Sequence, residues 1–236
     1  MWCGAHQIWR VVFLLGASAW LQAMAQVGPS PADVARYTGL HAAAHTGDVA
    51  LMERLLAASG NRQQDLTARD AYGRTPVHVA TFARQRDALR ALARAGTSLE
   101  LLENDRYDAV TIASVADDEE TLRVLLSLGA SAKLMTSRYD GTALIAAAHL
   151  GHDGVVKQLL GAGAPLDHVN NLHWTALIEA IILGNGGVRH QEVVRALLAA
   201  GANTRLADRS GATPLQLAKT RGYREMVLML ERAGAK

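Results

Sequence analysis

Residues 182–190 read ILGNGGVRH, with three glycines in four positions ahead of an apolar helical run. A glycine-rich loop before a helix is what phosphate binding needs: the bare backbone closes around the anion, and the amides and dipole of the helix N-terminus attract it. The order of residues here is wrong for that chemistry. A Walker-type loop follows a strand and ends in Lys-Ser or Lys-Thr, whereas this run follows a helical segment and continues as Val188-Arg189-His190. The same continuation breaks the dinucleotide order G-x-G-x-x-G. Nucleotide binding is therefore not expected, and the glycines read as a loop between two helices.

His41 and His45 are four apart on a predicted helix, which puts both on one face at the spacing of two metal ligands, but no third ligand lies near them. His149 and His152 fall at a predicted inter-helix turn, where hydrogen bonding is the expected role. The run Asp117-Asp118-Glu119-Glu120 looks like a cation site. Acids at a helix start are stabilised by about 0.3–1 kcal/mol each, however, and capping is the simpler reading. No serine sits in a G-x-S-x-G elbow. The chain is expected to have no catalytic residue, no bound metal and no cofactor.

The N-terminus constrains the compartment. Arg10, an apolar run from Val11 to Leu21 and the small-x-small triplet Ala23-Met24-Ala25 have the form of a secretory signal peptide cleaved after Ala25. The run is well short of the roughly 20 residues that cross a bilayer, so no membrane span is expected in the mature form. Cys3, the only cysteine, would leave with it, and a thiol-free chain suits an oxidising compartment. Heavy use of alanine and arginine resembles a GC-rich bacterial gene, so the expected location is the periplasm. The 24 basic and 22 acidic residues are interspersed, and a formal net charge of +2 gives no reason to expect nucleic acid or an anionic membrane as partner.

Whatever functional residues exist must be positioned by a repeat. Segments such as PVHVATFARQRDALRALARAG, ALIAAAHLGHDGVVKQLLGAG and PLQLAKTRGYREMVLMLERAG follow one pattern that recurs six times. The closing glycines Gly96, Gly129, Gly163, Gly201 and Gly234 are 33, 34, 38 and 33 residues apart. Each unit carries two apolar stripes of helical period split by a short turn, as in Leu144-Ala147-Ala148 and Val155-Val156-Leu159-Leu160. One unit cannot bury its stripes alone, so neighbours must stack into a continuous core. Two units read Asp70-x-x-Gly73-x-Thr75-Pro76-Val77-His78 and Asp208-x-x-Gly211-x-Thr213-Pro214-Leu215, with Thr as N-cap and Pro at the first helical position.

By these motifs the chain resembles the ankyrin repeat family, over about Asp33 to Lys236. The resemblance implies an all-α solenoid of about six helix-turn-helix repeats joined by β-turn loops. It also implies a structural role for His41 and a concave face that binds other proteins. The expected divisions are a signal peptide over 1–25, a linker and the start of the first repeat over 26–37, and the repeat domain over 38–236.

Repeat three departs from the motif, with Asp108-Ala109-Val110-Thr111 in place of Thr-Pro-Leu-His and Asp117 in place of the inter-helix glycine, so its register is open. In repeat four Asp140-Gly141, a favoured tight-turn pair, predicts a shortened hairpin. In repeat five the spacing from Gly184 to Val193 exceeds that from Gly151 to Val155 by five residues. This insertion, near 185–191, is expected to set Arg189 and His190 on a mobile protrusion, a secondary candidate site.

Tyr72, Tyr107, Tyr139 and Trp174 fall in successive inter-repeat turns, 35, 32 and 35 residues apart, and line up in a stacked solenoid. Arg74, Arg106, Arg138, His173 and Arg209 flank them, a mixture typical of interface hot spots. Two readings stay open: the rings bind a partner, or they pack along the turn row. The functional expectation is a monomeric, non-catalytic module that holds a protein partner. The alternative is an accessory protein that stabilises or activates an exported enzyme, including those of envelope stress defence.

Overall fold

The computed structural model describes residues 27–236, so the expected signal peptide lies outside the described residues. Six helix pairs follow one another: α2 (Gly39–Thr46) with α3 (Val49–Ala58), α5 (Pro76–Phe82) with α6 (Arg86–Arg94), α7 (Ala109–Val115) with α8 (Glu119–Ser127), α9 (Ala143–Leu150) with α10 (Asp153–Gly161), α11 (Ala176–Ile182) with α12 (Val188–Ala199), and α13 (Pro214–Arg221) with α14 (Arg224–Arg232). Two short helices, α1 (Pro31–Val34) before the first pair and α4 (Arg62–Leu66) after it, complete the set among the described residues. The first helix of each pair packs on the first helix of the next, and the second on the second. The result is a two-layer, all-helical solenoid. None of the described helices is long and apolar enough to cross a membrane.

The core runs without a break from Leu40 to Leu230. Its seam between the layers is made of side chains with no exposure, among them Leu89, Leu122, Leu125, Leu144, Leu159, Val193 and Leu197. Each helix of the six pairs contributes only one to four such side chains, so stability is shared with its neighbours.

Local chemistry starts the helices. Thr142, Thr175 and Thr213 accept hydrogen bonds from the amides of Ile145, Ile178 and Gln216. In repeat three Asp108 does the same for Thr111, at 2.9 Å, which settles the register that the sequence leaves open: Asp108 stands where the other repeats have threonine. Asp118 caps α8 through the Thr121 amide, with Glu119 and Glu120 in its first turn. Thr75 behaves differently: its hydroxyl lies 2.8 Å from Nδ1 of His78, and that nitrogen also accepts the Thr75 amide at 3.0 Å.

The turns between repeats are organised by one side chain each. Asp70, Asn170 and Asp208 fold back to accept two amides two and four residues on, and Glu103 performs this role in repeat three. In all four turns the closing backbone bond spans four residues, as from the Asp70 amide to the Arg74 carbonyl. Repeat four corrects the expectation of a shortened hairpin. There the bond runs from Thr136 to Gly141, one residue longer, with Ser137 as the organiser and both Ser137 and Asp140 in the left-handed region at φ 63° and 51°.

Candidate functional site

Adjacent turns are hydrogen-bonded into a continuous row: the amides of Asn104, Ser137 and Asn171 donate to the carbonyls of Tyr72, Arg106 and Tyr139 in the preceding turn. The row carries the aromatic residues side by side. Tyr72 is 47% exposed, Tyr139 and Trp174 are half-buried, and Tyr107 is buried. Burial, with Asp105 and Glu103 nearby, raises the Tyr107 phenol above its ordinary range, so it remains a hydroxyl at neutral pH.

Tyr107, Tyr139 and Trp174 line one cleft between the turn row and the first-helix layer, with Ile145 and Leu183 in its wall and His149, Asn170 and Glu179 also lining it. Sequence reasoning missed Glu179. It is 3% exposed on α11, where the corresponding position in the other repeats is Ala42, Val79, Ile112, Ala146 or Leu217. That one acid in an apolar column was the available signal. Asn170 Nδ2 donates to its Oε1 at 2.9 Å, and His149 Nδ1 lies 3.2 Å from its Oε2.

The cationic candidates have different fates. Arg74 is buried beneath the row: it stacks on the Tyr72 ring with 4.3 Å from guanidinium carbon to centroid, donates to the Val27 carbonyl, and lies 3.6 Å from Asp70 and 3.9 Å from Asp33. Arg106 and Arg138 are exposed and cross-paired with Asp140 and Asp105 in neighbouring turns, at 3.2 and 2.6 Å. Arg209 donates to the Asn171 carbonyl. His173 is exposed on the turn. Both Arg106 and His173 occupy the left-handed backbone position held by Gly73 and Gly211 in other repeats, at φ 67° and 65°. A side chain there costs about 1–2 kcal/mol that glycine would not.

The histidines considered as metal ligands are engaged in packing and hydrogen bonding, with the His41 and His45 rings both beside Tyr37. His41 Nε2 lies 2.9 Å from the Arg74 carbonyl of the next repeat, His45 faces Tyr37, and His152 Nδ1 lies 2.9 Å from the Ser114 carbonyl. No cluster of three or more potential ligands occurs among the described residues.

The insertion of repeat five is not a free protrusion. The connection from α11 to α12 holds five residues against two between α9 and α10, α12 is twelve residues long against nine, and α11 is one shorter than α9. Arg189 bridges Asp117 at 2.8 Å and Asp153 at 3.4 Å, joining repeats three, four and five. His190 is 9% exposed, and its Nε2 lies 2.9 Å from the His149 carbonyl. The glycines serve this packing: Gly186, at φ 70°, lies against the Tyr223 ring, and the Tyr223 hydroxyl donates to the Gly184 carbonyl. A β-carbon on Gly184 would collide with the Ala180 carbonyl and press to 2.6 Å from the His190 ring. Gly184→Ala is therefore expected to lower unfolding stability by about 1–3 kcal/mol in urea denaturation. Gly60→Ala, with open space around it, is the control and should stay within about 0.5 kcal/mol.

Comparison with known proteins agrees with this architecture. The family model for ankyrin repeats in three copies matches residues 11–103, 108–208 and 155–236. The ankyrin repeat protein YahD of Escherichia coli K12 is 33% identical over 194 residues, 82% of this chain and 94% of its own. The crystal structure of an ankyrin repeat domain from Acinetobacter baumannii AYE is 45% identical, with a TM-score of 0.77 over 84% of this chain and 98% of that one. The ankyrin repeat domain of Bcl-3, described as a member of the IkappaB protein family, is 30% identical, with a TM-score of 0.75 over 85% of this chain and 88% of its own. With the motifs, the stacked helix pairs and these similarities in accord, the chain belongs to the ankyrin repeat family.

Proposed function

We propose that this protein is a non-catalytic binding module that holds a protein partner on the face formed by its turn row and first-helix layer. The observation that carries the reading is the cleft edged by Tyr107, Tyr139 and Trp174. Rigid aromatic rings beside an apolar depression are the anchors from which interfaces draw most of their energy. The strained Arg106 and His173 support it, since backbone strain that persists on an exposed turn points toward use of the side chain. The ion pairs of Arg106 and Arg138 hold the rim in shape before binding, which reduces the ordering cost of association. Export to the periplasm is part of the proposal and rests on the pattern from Arg10 to Ala25.

The test is capture from periplasmic extract with three baits: the unmodified protein, Tyr139→Ala/Trp174→Ala, and a Leu228→Ala control on the second-helix layer. Tyr107 is left in place because it is buried. A partner identified with the first bait is then measured against all three. Loss of a hot-spot ring costs about 2 kcal/mol, so the double variant should bind at least about 30-fold more weakly while the control is unchanged. Equal affinity for all three would move the binding site off this face.

A further inference from the structure

We infer that the cleft between Tyr107, Tyr139 and Trp174 is built to take a long cationic side chain, arginine or lysine, of the protein partner, with its charged head directed to Glu179. The inference rests on the proposed protein-binding role of this face and names the chemistry of what enters it.

Three observations support the assignment. First, Glu179 is a carboxylate placed at a 3%-exposed position where every other repeat has an apolar residue, and burying such a group is costly unless its charge is met. Second, its acceptor capacity is used only in part. A carboxylate offers about four acceptor sites, and within the molecule two side chains reach it: Asn170 donates to one oxygen, and His149 Nδ1 lies 3.2 Å from the other, an ion pair when that ring is protonated. Third, its surroundings match the rest of such a side chain. The walls are aromatic and aliphatic, through Tyr107, Tyr139, Trp174 and Ile145. An arginine or lysine stem is itself apolar and packs along such walls while its head seeks a charge, and aromatic faces add cation–π attraction. Of the arginines at the rim, Arg106 and Arg138 are neutralised by Asp140 and Asp105, and Arg209 is tied to the Asn171 carbonyl. A neutral apolar guest would fill the walls but leave the acceptors of Glu179 no better satisfied.

The experiment titrates N-acetyl-arginine methylamide and its uncharged isostere N-acetyl-citrulline methylamide into the full chain. The indole N–H resonance of Trp174, assigned by its loss in Trp174→Phe, is followed by NMR. Arginine should give a saturable shift at least about tenfold tighter than citrulline, and Glu179→Gln should remove that difference. Glu179→Leu, which copies the residue at this position in repeat six, serves as a second variant with the same expectation. Equal response to arginine and citrulline in the unmodified protein, or no saturable response to either, overturns the inference without need of a variant. So does a preference for arginine that survives both substitutions. Partner capture that still depends on Tyr139 and Trp174 would then leave the protein-binding face standing with a different guest in the cleft.

Discussion

Replacing Leu159 with alanine is expected to lower the unfolding free energy by about 2–5 kcal/mol, as deep truncations that leave a cavity do. Leu159 has no exposure and lies in α10, whose neighbours in the second-helix layer are α8 and α12. Its backbone is also committed, since its carbonyl accepts the amides of Ala162 and Ala164 that close the helix, so the segment cannot slide to fill the void. The loss should be local in origin and fall off with distance along the solenoid. In a solenoid the core of each repeat packs on its neighbours, and stability is close to the sum of units and interfaces, although here Arg189 of repeat five also reaches past repeat four to Asp117. Amide hydrogen exchange of the variant should therefore lose protection in α8, α10 and α12 first, with α3 changed least. Leu228, 44% exposed on α14, gives the reference, because its truncation should cost no more than about 0.5 kcal/mol. Equal loss of protection along the whole chain would show that the six pairs unfold as one unit.

The expected locality explains which features could be read from the residues alone. Helix pairs repeat because the same apolar stripes recur, and Thr-Pro and Asp-x-x-Gly are local signals whose physics is complete within a turn. Repeat three obeyed the same logic with other chemistry: Asp108 and Thr111, 2.5 Å apart through Oδ1 and Oγ1, replace the Thr-His pair, and Thr111 reaches Thr136 in the next turn at 3.1 Å. Features set by contacts between repeats were hidden. The glycine cluster could be denied a phosphate role from its order, but its fit against Tyr223 and His190 depends on residues in another helix or repeat. The Asp140-Gly141 pair suggested a tight turn, and the chain instead used Ser137 to close a longer one. Helix α4 was missed because five residues with one buried anchor, Leu66, carry no measurable period. Glu179 was legible as one acid in an apolar column of the repeats, but its burial and its pairing with Asn170 and His149 emerge only when the repeats are stacked.

Acidification provides the last strong test, and His78 is its source. The ring has no exposure, and its Nδ1 accepts the Thr75 amide, so the proton sits on Nε2, which donates to the carbonyls of Leu101 at 2.9 Å and Tyr107 at 3.2 Å. Charging it would put a second proton where an amide already donates. Burial accordingly holds its pKa at about 4, against 6.5 for a free histidine. Below pH 6.5 the unfolded chain binds a proton that the folded chain refuses until about pH 4, so stability falls as pH falls across that window. At about 1.4 kcal/mol per unit, the full loss is about 3 kcal/mol. Asp118, Asp153 and Asp208, whose carboxyls are held below their ordinary range, withdraw their own contribution only as pH falls through and below about 4, largely outside the window. Asp108 shifts the opposite way through burial and offsets a little of the loss near the acidic end. His78→Gln separates these effects, because a glutamine makes the same capping bond at the exposed helix start of repeat six: Gln216 Oε1 accepts the Thr213 amide at 2.9 Å as His78 Nδ1 accepts that of Thr75. The variant gives up the reach to Leu101 and should start about 1 kcal/mol less stable at pH 7.5. Between pH 7.5 and 4.5 it should then lose about 2–3 kcal/mol less than the unmodified protein in urea denaturation, so that the two curves cross. Parallel curves would mean that the second turn accommodates a charged imidazole, and that the acid sensitivity of this solenoid lies in another repeat.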